Sequence, residues 1–132
     1  MSYFTTNWPI LAFWQNSQLL TAVVFVFLAG SGSLFRWRLQ FSSNWKKNSG
    51  TLISNVIASF FLGLLLGGTP SGATITVAGT GFLGSLSTFS TVMMEVEGGL
   101  ERKRKMPALI YLFVSILGGT VAAFVGLEIN AR

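Results

Sequence analysis

Apolar residues fall in four long blocks along this chain, at 19–35, 51–68, 73–94 and 106–127, with the charged residues at their edges. No Lys, Arg, Asp or Glu interrupts positions 48–94 or 106–127. Crossing a hydrocarbon core takes about 20 apolar residues in a helix. A chain in lipid must satisfy its own backbone N–H and C=O groups, so each block is expected to be helical. The run Gly67-Gly68-Thr69-Pro70-Ser71-Gly72 is a turn signal between the second and third blocks. The pattern predicts an all-α integral membrane protein with four transmembrane helices, the middle two forming a hairpin.

The third block interrupts itself. Residues 73–83 are apolar and 89–94 resume, but Gly84-Ser85-Leu86-Ser87-Thr88 lies between them. Two short halves joined by Gly and Ser predict a helix broken mid-membrane. Such unwound backbone is tolerated only inside protein or beside a wet cavity. Its freed carbonyls suit an alkali cation and its freed N–H groups suit an anion. The competing expectation is a kinked but continuous helix whose hydroxyls bond back to the preceding turn.

Residues 1–18 are uncharged and aromatic-rich, with Tyr3, Phe4, Trp8, Phe13 and Trp14. They lack the basic n-region and small-residue cleavage site of a signal peptide. An interfacial segment in the headgroup belt is expected there, or else a flexible tail; residues 19–132 form the four-helix unit.

Composition agrees with the bilayer. The 132 residues suffice for one small unit, 51% hydrophobic and 10% charged, against about 25% charged in soluble domains. Cys and His are absent, and the four acids are Glu95, Glu97, Glu101 and Glu128. Disulfides, Cys/His zinc sites and thiol or imidazole catalysis are excluded, and no enzyme is expected. The net charge of +5 comes from residues flanking apolar blocks, so the expected partner is lipid and not nucleic acid. Arg36, Arg38, Lys46, Lys47, Arg102, Lys103, Arg104 and Lys105 share one side of a four-span topology, and Arg132 alone lies on the other. The positive-inside rule then predicts a plasma-membrane protein with cytoplasmic basic loops and external termini.

Two helices carry small and polar residues every fourth position: Asn55, Ser59, Gly63 and Gly67 on the second, Tyr111, Ser115, Gly119 and Ala123 on the fourth. Close helix packing explains the Gly and Ala positions. An amide or phenol in lipid needs a partner, so Asn55 and Tyr111 either bridge helices or line a polar pathway. Arg36 can snorkel to the interface, and Glu95 can be an ordinary helix-end carboxylate. No carboxylate lies centrally in any span, which argues for passive permeation over proton coupling. Gly79-Thr80-Gly81-Phe82-Leu83-Gly84 matches a dinucleotide fingerprint by letter, but it lacks the strand–turn–helix context and later acid that give the motif meaning.

Three motifs make the chain resemble the Fluc (CrcB) fluoride channel family over roughly 19–127. They are Gly32-Ser33-Leu34-Phe35-Arg36-Trp37, Gly50-Thr51-Leu52 leading to Asn55, and Gly81-Phe82-Leu83-Gly84-Ser85-Leu86-Ser87-Thr88-Phe89-Ser90-Thr91. The resemblance implies an antiparallel dimer with two narrow pores and a structural sodium ion (Na+) at its centre, held by the carbonyls of Gly84 and Ser87. It implies a fluoride pore involving Asn55, Phe89, Ser90, Thr91, Tyr111 and Ser115, with Thr51 and Glu95 nearer a vestibule, and it matches Arg36 to a structural arginine. An edge-on ring can meet an anion because its quadrupole is positive at the rim; hydroxyl and amide donors supply stronger contacts.

One position departs from the family: Val92 stands where a second Phe is usual. With the strong charge bias, it points to a fixed-orientation subunit that pairs with an oppositely inserted paralogue. Two rival readings are a small multidrug exporter, which needs a glutamate that residues 19–35 lack, and a non-transporting scaffold.

Overall fold

The computed structural model describes residues 8–41 and 49–132, with side chains from Ser17 onward. The expected roles of Tyr3 and Phe4, and of Lys46 and Lys47, lie outside these residues. Every element described is helical: α1 (Trp8–Gln40), α2 (Ser49–Gly67), a composite rod α3 over 72–86, α4 (Phe89–Glu101) and α5 (Lys105–Asn130). Stretches of three of them, Ser17–Gln40, Ser49–Gly67 and Lys105–Asn130, are long and apolar enough to cross a bilayer. Helix α1 begins ahead of the predicted span, so residues 8–18 run on into it without a turn. Pro9 is accommodated in its first turn, where the missing N–H has no helical acceptor to lose.

Helix α3 opens with Ser71, whose hydroxyl accepts the Thr74 N–H at 3.3 Å. It widens into a π-helix over Ile75–Leu83, and the Gly84 N–H bonds back five residues to the Gly79 carbonyl. Gly84–Leu86 is ordinary helix. Ser87 (φ −81°, ψ 157°) and Thr88 (φ −157°, ψ 122°) are then extended, and α4 starts at Phe89. The break is therefore real but narrower than the sequence predicts, with Gly84 still helical. At 1.5 Å per residue the 13-residue α4 is about 20 Å long, short of a 30 Å hydrocarbon core.

Helices α2 and α5 form the tightest pair, and the two four-residue stripes face each other across it. A Cβ on Gly63 would collide with the Ala123 carbonyl, and one on Gly126 with the Phe60 carbonyl. A Cβ on Gly119 would come 3.3 Å from Ser59 Oγ. The glycines are spacers, and they bring the polar residues of both stripes to one interface. Behind it Leu86, Val92 and Ala58 are buried, together with the polar Thr51, Ser54 and Ser115. The large apolar side chains of α1 and the outer face of α5 are exposed, as suits helices bathed in lipid.

Substituting Gly126 by Val should drive α2 and α5 apart and cost about 1–3 kcal/mol. The drop should appear as a lower thermal aggregation temperature in detergent. Gly30→Ala, with nothing within 4 Å of the added methyl, should leave that temperature unchanged.

Candidate functional site

The break organises the polar residues around it. Thr88 donates its backbone N–H to Asn55 Oδ1 at 2.6 Å, and Asn55 Nδ2 returns a hydrogen bond to the Thr88 carbonyl at 2.9 Å. One side chain on α2 thus grips both backbone polar groups of a residue that has left the helix. The Thr88 hydroxyl caps α4 by accepting from the Thr91 N–H at 3.4 Å, the role expected of threonine at an N-cap. It also lies 3.1 Å from Ser90 Oγ and 3.2 Å from Thr91 Oγ1.

These bonds have a consequence upstream. In a continuous helix the Thr88 N–H would serve the Gly84 carbonyl, and the Thr91 N–H would serve that of Ser87. Both are diverted, to Asn55 and to the Thr88 hydroxyl respectively. The Gly84 carbonyl instead receives the Ser87 hydroxyl at a long 3.4 Å, and the Ser87 carbonyl receives Arg36 Nη1 at 3.3 Å. Gly84 is exposed and Ser87 half-buried. Two weakly engaged, neutral main-chain oxygens three residues apart are hard ligands of the kind an alkali or alkaline-earth cation takes. They are too few to enclose one. Arg36 is no snorkelling side chain here; its guanidinium holds the break from α1.

A cavity of about 260 Å³ opens beside the break, lined by Asn55, Ser59, Thr88, Phe89, Val92 and Ser115 among others. The Asn55 amide has two hydrogens, and only one is used on Thr88. Phe89 is 63% exposed at the rim, whereas Val92 is 1% exposed in the wall. Val92 packs with Val96 and Ala108 against Tyr111 and Leu112.

A second cluster lies one helical turn along α4. Thr51 donates to Glu95 Oε1 at 2.9 Å, Gln40 Nε2 reaches Thr51 Oγ1 at 3.4 Å, and the Tyr111 hydroxyl donates to Glu95 Oε2. Ser115 Oγ donates back to the Tyr111 carbonyl at 2.8 Å. Thr51, Glu95 and Tyr111 therefore meet, and Ser115 joins them to the cavity that holds Asn55. Ser90 and Thr91 lie in the first turn of α4, their hydroxyls beside that of the capping Thr88. Gln40 and Thr88 carry contacts that sequence reasoning did not assign. Thr88 stood inside the motif already singled out; Gln40 offered no signal, because only the fold brings α1's end against α2.

These features define a small, all-helical membrane protein with a polar seam through its helix interfaces. A family model described as CrcB-like protein, camphor resistance (CrcB), matches residues 22–127, and the chain belongs to that family. It is 36% identical to the fluoride-specific ion channel FluC 1 of Streptococcus pneumoniae over 109 residues, covering 80% of this chain and 98% of the relative. Similarity extends to FluC 1 of Prochlorococcus marinus (46% over 91 residues; 62% of this chain, 70% of the relative) and FluC 2 of Rhodococcus jostii (37% over 81 residues; 61% and 71%).

Thr88→Ala removes the cap of α4 and should cost about 1 kcal/mol, measurable as a lower thermal transition. Thr88→Ser keeps the hydroxyl and should retain most of the stability.

Proposed function

We propose that this chain is one subunit of a fluoride-conducting channel that lets fluoride leave the cytoplasm passively and so lowers its toxicity. The observation that carries the reading is the diversion of the Thr88 and Thr91 amides away from the Gly84 and Ser87 carbonyls. It leaves, in one short stretch, two carbonyl oxygens held only by long side-chain hydrogen bonds, from Ser87 and Arg36, and places hydrogen-bond donors beside a cavity. Names carried by relatives of similar length support the choice of ion.

In this channel α3 and α4 together make one membrane crossing, the fourth beside α1, α2 and α5. Fluoride is small and strongly hydrated, so its path must replace water with close donors. The spare Asn55 hydrogen, the hydroxyls of Ser90, Thr91 and Ser115, and the edge of Phe89 are the groups on hand. Thr51, Glu95 and Tyr111 lie on the same seam toward the basic end. Selectivity then rests on pore diameter and lining donors, with no chemical step.

Gly84 and Ser87 together offer two oxygens, and a sodium ion needs more. An oppositely inserted second subunit, apposed at the exposed Gly84 face, supplies the rest, so the cation and the antiparallel dimer belong to one proposal. A bound cation there would make the local potential favourable to anions. The eight-to-one distribution of basic residues in a four-span topology favours one insertion direction, so the partner is an oppositely oriented paralogue. The basic loops are cytoplasmic and the termini external.

Fluoride-electrode efflux from proteoliposomes tests the reading, with chloride, protons and a dye cation as controls. Fluoride alone should pass. Asn55→Asp replaces the donor by a repelling charge and should abolish efflux while the assembly keeps its size; normal efflux would make Asn55 purely structural. Robust efflux from this chain expressed without any partner would remove the need for a paralogue.

A further inference from the structure

The basic end of the helical bundle holds a larger cavity of about 410 Å³ between α4 and α5, which the reading above leaves without a role. Its lining includes Glu95, Tyr111, Arg102 and Arg104, with Gly98 and Pro107 in its walls. Glu95 and Tyr111 are also the members of the polar seam nearest this end, one turn beyond the Asn55 cavity. The cavity thus abuts the seam at one place, where a carboxylate stands. A carboxylate repels an approaching anion, so a path that passes it needs a compensating charge.

The turn that joins α4 to α5 supplies that charge from a fixed backbone. Lys103 adopts φ 59°, the left-handed conformation. Its N–H bonds to the Leu100 carbonyl at 2.9 Å, and the Arg104 N–H to the Gly99 carbonyl at 3.0 Å. This pair of bonds around a left-handed residue is a Schellman closure, which fixes the backbone at a helix end. Gly99 lets α5 come close, since a Cβ there would lie 2.8 Å from Ala108 Cβ. The closure sets Arg102 and Arg104 on the cavity and leaves Lys103, the residue between them, off it. All five residues 101–105 are exposed, and of them only the two arginines line the cavity. Two guanidinium groups against one carboxylate give the cavity a net charge of +1.

We infer that Arg102 and Arg104 form an anion-collecting mouth, which concentrates small hydrated anions at the Glu95–Tyr111 threshold and offsets the carboxylate there. The inference rests on the channel reading and adds the residues that set its access rate. Charges lining a concave, low-dielectric wall raise the local concentration of counter-ions, and the effect fades as salt screens it. Its signature is therefore a rate that depends on ionic strength, which a purely structural role for the arginines would not produce.

The test measures fluoride efflux from proteoliposomes holding the assembly purified through this chain, at about 0.01 M and about 1 M of an impermeant salt, where the Debye length is about 30 Å and about 3 Å. The Arg102→Gln/Arg104→Gln double variant should slow efflux by about threefold or more at low salt and match the unaltered assembly at high salt. The Arg102→Lys/Arg104→Lys double variant keeps both charges and should keep the unaltered rate at both. Lys103→Gln removes a charge that does not face the cavity and should change little. Equal slowing of the Gln variant at both salts, or no slowing at low salt, would overturn the proposal. A Lys103→Gln effect as large as that of the arginines would also overturn it, by making diffuse surface charge the cause. Absence of fluoride efflux from the unaltered assembly would overturn the channel reading itself, an outcome distinct from failure of the variants alone.

Discussion

The reciprocal hydrogen bonds between the Asn55 amide and the backbone N–H and C=O of Thr88 hold the rest of the site in place. In a low-dielectric surrounding, a backbone N–H or C=O without a partner costs several kcal/mol. A chain there leaves the helix only where something else meets that demand. Asn55 does so for both backbone groups of one residue with a single side chain, because a carboxamide offers a donor and an acceptor in one plane. Once Thr88 is held, its hydroxyl is positioned to start α4, and the carbonyls of Gly84 and Ser87 lose their helical donors together. The break, the cap and the weakly engaged oxygens are three results of one interaction.

That interaction depends on how closely the helices approach. Asn55 and Ser115 sit on stripes that continue in small residues, and Gly63, Gly126 and Gly119 let α2 and α5 come together until backbone nearly touches backbone. The same closeness brings polar groups from different helices into hydrogen-bonding range: Thr51 and Glu95, Glu95 and Tyr111, Asn55 and Thr88. Packing residues and functional residues are interleaved on one face for a physical reason. A narrow polar path can exist in an apolar bundle only where the walls are held tightly.

In the proposed channel, the division of labour follows charge. Neutral main-chain oxygens face one way, toward a cation and a second subunit; neutral donors face the cavity, where an anion must shed water. Of the full charges, Arg36 stands at the break on the α1 side, away from the Asn55 cavity, while Glu95 lies on the seam toward the basic end with Arg102 and Arg104 beyond it. A carboxylate deep in the path would repel the anion and a guanidinium there would trap it. Neutral donors bind it strongly enough to replace water and weakly enough to release it.

Much of this was legible in the residues alone. The charge-free blocks fixed the helices, because lipid leaves the backbone no alternative, and the Gly-Ser-Leu-Ser-Thr run marked where one of them yields. The four-residue stripes announced which faces of α2 and α5 would meet. The fold decided what local pattern leaves open. Gly84 stayed helical, its N–H bonded to the Gly79 carbonyl, while the extended pair became Ser87 and Thr88, where Asn55 reaches the Thr88 backbone. Arg36 found a carbonyl 51 positions away, Gln40 found Thr51, and Val92 turned inward to the cavity wall. Each of these is a contact between distant segments, and periodicity along a chain carries no distance across it.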